Sequence, residues 1–183
     1  MPLKILGLNH NTAPVEIREQ VVFAGDQIPG ALQAVRDIHG VEEAVLLSTC
    51  NRTEFYVMAD HDGRRRLQEW LHDAHNLDPS FANTLFELDD DAALRHIFRV
   101  ACGLDSMVLG EPQILGQLKD AFRDAEGAGT VGKQLSRLFQ HTFSVAKKVR
   151  TDTEIGTSPV SVAYAAVTLA QQFFSDFKKH TAL

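Results

Sequence analysis

The sequence is poor in cysteine, with only Cys50 and Cys102 among 183 residues. Two thiols are too few for a disulfide framework or a zinc site made of cysteine alone, and they suit a reducing cytosol. No apolar stretch is long enough to span a bilayer, and the first residues lack the layout of a signal peptide. We therefore expect a cytoplasmic protein with no membrane partner.

Positive charge is also scarce, since 24 acidic residues outnumber 18 basic ones and the formal net charge is −6. An acidic chain argues weakly against broad electrostatic binding of nucleic acid, but a local basic patch is still able to bind phosphate. The basic clusters are Arg64-Arg65-Arg66, Lys147-Lys148 with Arg150, and Lys178-Lys179. The first lies at a predicted helix start, where the helix dipole disfavours cations, so phosphate contact and plain solvent exposure explain it equally well.

Sequence fingerprints of common cofactor sites are missing as well. No HExxH or comparable metal pattern, no P-loop and no GxGxxG turn occurs between Met1 and Leu183. We therefore expect no metal site, and no cradle for the pyrophosphate of a dinucleotide, in this chain.

Hydrophobic periodicity predicts an α+β fold. Strands are expected at Leu3–Asn9, Glu43–Thr49, Glu54–Asp60 and Thr84–Leu88. Helical patterns fill the first and third of the intervals between them, so the order is β, α, β, β, α, β. This is the ferredoxin-like order, an antiparallel sheet with helices on one face.

After the last strand the pattern becomes helical. The run Asp89-Asp90-Asp91 predicts an N-cap and an acidic first turn for a helix whose apolar stripe is Leu94, Ile97, Phe98 and Ala101. Pro112 opens the next helix, which stops at Gly127, and a longer helix ends near Gly156. Ser158 and Pro159 then predict the start of a further helix.

The segment Ser48–Glu54, STCNRTE, carries the clearest chemistry. It joins two apolar strand-like runs, so Cys50 is expected at a strand end with Arg52 two residues on. A cation lowers the pKa of a thiol, the thiolate is the nucleophile, and a guanidinium grips a carboxylate through two parallel hydrogen bonds. The alternative is an inert cysteine in a hairpin, which we expect instead for Cys102.

Polar residues on the later helices are candidates for the same site. His96 lies opposite the apolar stripe of its helix and therefore faces a cleft or solvent. Glu111, Gln113 and Gln117 form a polar helix edge on which the two glutamines are one turn apart, and Ser106 lies in the loop before it. Simple solvent exposure is the competing explanation for each of them.

Several stretches together resemble one family, glutamyl-tRNA reductase. They are GLNHNTAPVEIRE (7–19), LLSTCNRTEFY (46–56), GLDSMVLGEPQILGQLKDAF (103–122) and FSVAKKVRTDTEIGTSPVSVAYAAV (143–167), together with the helix that carries His96. They follow the family's order over the whole chain, and the pairing of STCNRTE with GLDSMVLGEPQILGQ is highly specific.

The resemblance implies an oxidoreductase of tetrapyrrole and heme (porphyrin) biosynthesis. Such an enzyme takes glutamyl-tRNA and NADPH and makes glutamate-1-semialdehyde through a thioester on the cysteine that matches Cys50. A histidine important for activity matches His96. The substrate-binding positions of the family match Thr49, Asn51, Arg52, Ser106, Glu111, Pro112, Gln113 and Gln117.

The resemblance also implies a domain plan. Residues 1–155 match the catalytic, glutamyl-tRNA-binding domain, and 156–183 match the start of a long connecting helix that leads to an NADPH-binding domain. We expect a homodimer for the full-length enzyme and name glutamate-1-semialdehyde aminomutase as a candidate partner. The 183-residue chain is expected to be limited to acyl transfer or ester hydrolysis.

Two other function classes stay open at this point. A thiol hydrolase complete in itself would turn over simple esters at Cys50 without a cofactor. A non-catalytic tRNA-binding module would keep its binding after loss of Cys50.

Overall fold

A four-stranded antiparallel sheet is the centre of the fold. The computed structural model describes residues 1–156, so the connecting helix predicted over 156–183 lies, but for its first residue, outside the described residues. The strands are β1 (Leu3–Asn9), β2 (Val41–Ser48), β3 (Arg52–Ala59) and β4 (Phe86–Asp89), in the spatial order β2-β3-β1-β4. Every neighbouring pair is antiparallel, which confirms the predicted mixed fold with an antiparallel sheet.

Six α-helices accompany the sheet in the described residues. They are α1 (Val15–Gln20), α2 (Ile28–Arg36), α3 (His61–His75), α4 (Asp90–Cys102), α5 (Gln113–Gly127) and α6 (Lys133–Asp152). Short 3-10 helices lie at Pro79–Thr84 and Glu154–Gly156. Within the part of the chain that the structure describes, no helix combines the length and the apolar character needed to cross a bilayer.

Helices cover both faces of the sheet, whereas the sequence analysis predicted one face. Neighbouring side chains on a strand point to opposite faces, so Phe55 and Tyr56 of β3 report on the two sides. The ring of Phe55 packs edge-on against Trp70 of α3, and the ring of Tyr56 packs edge-on against Phe139 of α6. Because both faces are covered, β1 and β3 are buried at every position.

The predictions for α4 are confirmed only in part, since Asp90 and Asp91 form the expected acidic first turn but the cap and the apolar stripe differ from those predicted. Asp89 lies at the N-cap position, but its side chain does not cap the helix. Its carboxylate binds the Nζ of Lys4 at 3.1 Å and the guanidinium of Arg64 at 2.5 Å, because two cations attract it more strongly than the helix end does. The apolar stripe is also shifted: Leu94 is 39% exposed, and Ala93 takes its place beside Ile97.

A buried carboxylate fixes α6 against the sheet. Glu43 of β2 is only 6% exposed and accepts backbone N–H groups of Gly132, Gln134 and Leu135 at the start of α6. The first N–H groups of a helix have no partner within the helix, and a negative charge there is favourable. Glu43 therefore replaces a local cap and sets where α6, and α5 packed on it, lie relative to β2.

Candidate active site

Cys50 lies at the tip of the tight turn that joins β2 to β3. The hydroxyl oxygen of Thr49 accepts the backbone N–H groups of Asn51 and Arg52, each at 3.2 Å. The backbone N–H of Thr49 donates to the carbonyl of Arg52 at 2.8 Å and closes the turn. These bonds leave the thiol of Cys50 exposed, as expected for a reactive cysteine.

The thiol borders a small cavity of about 50 Å³ between this turn and the start of α5. Its lining contains Cys50 and all but one of the predicted substrate-binding positions, namely Thr49, Asn51, Arg52, Ser106, Glu111, Gln113 and Gln117, with Met107 and Ile114. Pro112 is the exception, because it is an exposed residue at the N-cap position of α5. Residues more than 50 positions apart in the chain therefore meet at one place.

The loop that follows α4 closes the far side of the cavity. The Nη2 of Arg52 donates to the carbonyl oxygen of Asp105 at 2.6 Å and ties this loop to β3. Gly110 has a φ of +80°, and a side chain there would meet the carbonyl oxygen of Ile155 at 2.9 Å. Glycine is therefore required at 110, where it brings Glu111 and α5 to the cavity.

A fully buried carboxylate, Glu54, lies behind the cavity. It accepts hydrogen bonds from Nη1 of Arg52 at 2.8 Å and from the hydroxyl of Tyr56 at 2.5 Å, and its Oε2 lies 3.0 Å from Nε2 of His96. Burial alone would raise the pKa of Glu54, but the bonds from His96 and Arg52 outweigh it and hold the pKa below its usual 4.5. Burial and the Glu54 charge together raise the pKa of Tyr56 well above 10. Glu54 thus stays ionised and orients both Arg52 and His96.

His96 does not line the Cys50 cavity, although it was predicted to face a cleft. Its side chain is 11% exposed, with Nε2 against Glu54 and Nδ1 3.7 Å from Oδ2 of Asp105. The ring also packs 5.2 Å from that of Phe86. His96 is therefore linked to the cavity through Glu54 and Asp105 and not by direct contact with its lining.

Arg18 is a site residue that the sequence analysis missed. Its Nη1 donates to the carbonyl oxygen of Cys50 at 2.9 Å and to Oδ1 of Asn51 at 3.1 Å. The neighbouring ring of His10 has a lowered pKa, through burial and through the positive charges of Arg52 and Arg18. Arg18 belongs to the GLNHNTAPVEIRE stretch, but only the pairing of β1 with β3 brings that stretch to the Cys50 turn.

Cys102 behaves as predicted for a packed thiol. It is 3% exposed at the end of α4, and burial raises its pKa. A protonated, buried thiol is a poor nucleophile, so Cys50 is the reactive candidate of the two cysteines.

The described residues offer no fit for a metal or a dinucleotide. Within residues 1–156 no group of three or more His, Cys, Asp or Glu side chains is placed to bind a metal ion. The turn after β1 reads His10-Asn11-Thr12-Ala13-Pro14 and lacks the glycines that let a backbone approach a pyrophosphate.

Comparison with known proteins gives a consistent result. The family model described as "Glutamyl-tRNAGlu reductase, N-terminal domain" matches residues 6–153. Glutamyl-tRNA reductase of Alkalilimnicola ehrlichii is 58% identical over 184 residues, which cover 100% of this chain and 41% of that protein. The enzyme of Stenotrophomonas maltophilia (strain R551-3) is 55% identical, with 100% and 42% covered.

A solved structure shares the fold. Glutamyl-tRNA reductase from Methanopyrus kandleri superposes with a TM-score of 0.75 at 34% identity, over 93% of this chain and 39% of that chain. The chain thus spans about two fifths of the length of the curated relatives it matches.

Proposed function

Because the chain belongs to the glutamyl-tRNA reductase family through its N-terminal domain, we propose that Cys50 attacks the glutamyl ester of tRNA. Residues 1–155 would form the catalytic domain, and 156–183 the start of a connecting helix. The observation that carries the proposal is the exposed Cys50 thiol at a cavity lined by the polar side chains of the STCNRTE and GEPQILGQ segments.

The chemical step is an acyl transfer from oxygen to sulfur. The thiolate of Cys50 bonds to the carbonyl carbon of the glutamyl ester, and the bond from that carbon to the ribose oxygen of tRNA breaks. The released ribose oxygen takes up a proton, and a glutamyl thioester stays on Cys50. An aminoacyl ester is already activated, so the step needs no nucleotide hydrolysis and no oxidant.

The cavity residues are proposed to recognise the glutamyl group. Arg52 would bind a substrate carboxylate, since among the described residues its bonds to Glu54 and Asp105 engage two of five guanidinium N–H donors. Thr49, Asn51, Ser106, Glu111, Pro112, Gln113 and Gln117 would complete the substrate site. His96 would act on it through Glu54 and Asp105, the two carboxylates beside its ring.

The reductase reaction of the family implies NADPH in the whole enzyme, where it supplies hydride. Residues 1–156 do not fit a dinucleotide, so we assign them the thioester step alone. Free water would then release glutamate slowly from Cys50. The homodimer, the aminomutase partner and the cytoplasmic location implied by the resemblance stay predictions.

We also propose that the sheet and the helices between its strands are ferredoxin-like. The strand order β2-β3-β1-β4 with antiparallel neighbours supports this arrangement. In this view, α4, α5 and α6 are additions that cover the second face of the sheet and build the far wall of the Cys50 cavity.

The test is to incubate the 183-residue chain with glutamyl-tRNA, without NADPH, and to map adducts by mass spectrometry. We expect a glutamyl adduct on Cys50 and slow release of free glutamate. Cys50→Ser should lose both, while Cys102→Ser should keep both because that thiol is buried.

An adduct on Cys102 would overturn the assignment of the nucleophile. Tight tRNA binding without any adduct would favour a binding module, and equal turnover of simple esters and glutamyl-tRNA would favour a general thiol hydrolase. Semialdehyde formed on addition of NADPH would show that the chain does hold the cofactor.

A further inference from the structure

A basic groove lies between α5 and α6, outside the Cys50 cavity. Its volume is about 510 Å³. The lining residues are Leu115, Lys119, Gln140, Phe143, Ser144, Lys147, Arg150 and Thr151. Three of these side chains are cationic and none is acidic, in a chain whose net charge is −6. We call this surface the α5–α6 groove.

The concentration of positive charge is local. In the Arg64-Arg65-Arg66 cluster, by contrast, two arginines have acidic partners within the protein: Arg64 binds Glu87 and Asp89, and Arg65 binds Glu69. Arg66 donates to the carbonyl of His39. These contacts argue against the phosphate role considered for Arg64-Arg65-Arg66, and Lys178-Lys179 lies outside the described residues.

The cluster at the end of α6 divides into two parts. Lys148 points away from the groove and binds Oδ2 of Asp152 at 2.6 Å. Lys147 and Arg150 instead line the groove, across from Lys119 of α5. A helix C-terminus favours cations in general, but Lys119 lies in the middle of α5, where the helix dipole gives no reason for it.

The groove also presents an aromatic ring to this charge. Phe143 is partly exposed, and Nζ of Lys119 lies 5.8 Å from the centre of its ring. A positive groove with an aromatic surface is the usual means of binding single-stranded nucleic acid, because cations follow the phosphates while a base stacks on the ring. A small anion would use one or two cations and has no use for the ring.

The groove and the Cys50 cavity share helix α5. Gln113 and Gln117 line the cavity, whereas Leu115 and Lys119, also one turn apart, line the groove. The two sites are therefore separated by about one helix diameter, roughly 10–12 Å. Arg150 joins them, because its Nη1 donates to the carbonyl of Gly110 at 3.2 Å, next to Glu111 of the cavity.

We propose that the α5–α6 groove binds the unpaired 3′ end of the tRNA whose glutamyl ester lies at Cys50. This inference rests on the proposed function. Lys119, Lys147 and Arg150 contact phosphates of the last nucleotides, and Phe143 offers its ring to one base. A single strand that starts at the cavity crosses the start of α5 and enters the groove.

The test measures binding of uncharged tRNA to the 183-residue chain over a range of salt concentrations, for the wild type and for Lys119→Ala/Lys147→Ala. Loss of two phosphate contacts should weaken binding at least tenfold at low salt. It should also reduce the slope of log K against log [salt] by about 1.4, since each contact to a single strand contributes about 0.7. Lys148→Ala is the matched control, because it removes a neighbouring charge outside the groove, and its slope should stay close to that of the wild type.

A second RNA, a tRNA trimmed of its unpaired 3′ nucleotides, identifies the part of the substrate that binds. The wild type and the double variant should bind it equally. If the double variant loses as much affinity for trimmed tRNA as for intact tRNA, the groove does not bind the unpaired 3′ end. If the double variant binds intact tRNA as tightly as the wild type does, the groove does not bind tRNA.

Different results would refute tRNA binding in the α5–α6 groove and the proposed acylation of Cys50. Cys50→Ser keeps the groove and should show the salt dependence of the wild type in binding uncharged tRNA. The double variant should still form the glutamyl adduct on Cys50, but should need a higher concentration of glutamyl-tRNA than the wild type. Acylation of Cys50 together with unchanged tRNA affinity in the double variant rejects the groove alone. Groove-dependent binding without any acylation rejects the chemistry alone.

Discussion

Glu54 is the residue on which the charged groups behind the Cys50 cavity converge. Its carboxylate is fully buried and binds Arg52, Tyr56 and His96. A buried guanidinium without a partner is very costly, so Glu54 allows Arg52 to lie 2% exposed at the cavity wall. The same carboxylate limits the rotation of His96, so the positions of both basic side chains depend on one acid.

Arg18 performs a comparable task for Cys50, the proposed nucleophile, from the outer side of the turn. Its two bonds hold the Cys50 carbonyl and the Asn51 side chain, and with them the turn that presents the thiol. Hydrogen bonds from a charged group contribute about 1.5–3 kcal/mol each. We predict that Arg18→Ala lowers the rate of thioester formation at saturating glutamyl-tRNA by about tenfold or more, with little change in tRNA affinity.

Rapid-quench measurement of the Cys50 adduct tests this prediction, and added guanidinium ion should restore part of the rate. Arg123→Ala is the control, because Arg123 is an exposed arginine outside the Cys50 turn that binds Asp120 on its own helix, α5. A wild-type rate in Arg18→Ala, or an equal loss in Arg123→Ala, would show that Arg18 does not position the turn.

At the scale of elements, α6 depends on a strand for its N-terminal cap. Glu43 of β2 accepts three backbone N–H groups at the start of this helix, although nearly 90 residues of chain separate them. The arrangement couples α6, one wall of the α5–α6 groove, directly to the sheet. It also means that the position of the groove relative to the Cys50 turn is set through β2.

We predict that Glu43→Gln lowers the free energy of unfolding by about 2–3 kcal/mol, because a neutral amide accepts these bonds less strongly and its NH2 group faces backbone donors. Urea unfolding followed by circular dichroism measures the change. Glu42→Gln is a matched control at the adjacent, exposed position and should change stability by less than about 0.5 kcal/mol. Equal stability of the two variants would refute the role of Glu43.

At the scale of the whole molecule, the burial of the sheet between helices makes the stability of the protein depend on pH. Helices on both faces bury Glu54 completely, and its bonds to His96 and Arg52 hold its pKa below 4.5 despite that burial. A carboxyl group with a lower pKa in the folded state stabilises the protein above its unfolded pKa. That contribution is lost as the pH falls below about 4.5 and through the lower folded value.

We therefore predict that Glu54→Gln is less stable than the wild type at pH 7, by about 3 kcal/mol or more, because Arg52 keeps its bond to the Asp105 carbonyl but loses its partner of opposite charge. The difference should shrink as the pH falls below about 4.5, because the unfolded wild type then binds a proton that the buried, hydrogen-bonded carboxylate of the folded protein binds less readily. Urea midpoints at a series of pH values test this, with Glu42→Gln as the control that should follow the wild-type curve. A difference that stays constant down to pH 3 would count against an ionised Glu54 in the folded protein.

Local patterns in the sequence were sufficient for much of the fold and for the centre of the site. Strand β1 was predicted at its exact bounds, Leu3–Asn9, and β2 and β3 to within two residues at each end. Cys50 was expected at a strand end and lies at the tip of the β2–β3 turn. These features depend on residues close together in the chain: apolar runs, turn formers and the short motif around the thiol.

The tertiary structure alone decided which charged groups meet. Asp89 binds Lys4 and not its own helix, Arg18 reaches the Cys50 turn, and His96 turns to Glu54 and not into the cavity. The α5–α6 groove likewise gathers Lys119 and Lys147 from two helices. Each of these pairs is separated by at least 28 residues, and periodicity carries no information about such contacts. They are fixed by strand pairing and by helix packing on the sheet, where a buried charge is stable only beside its partner.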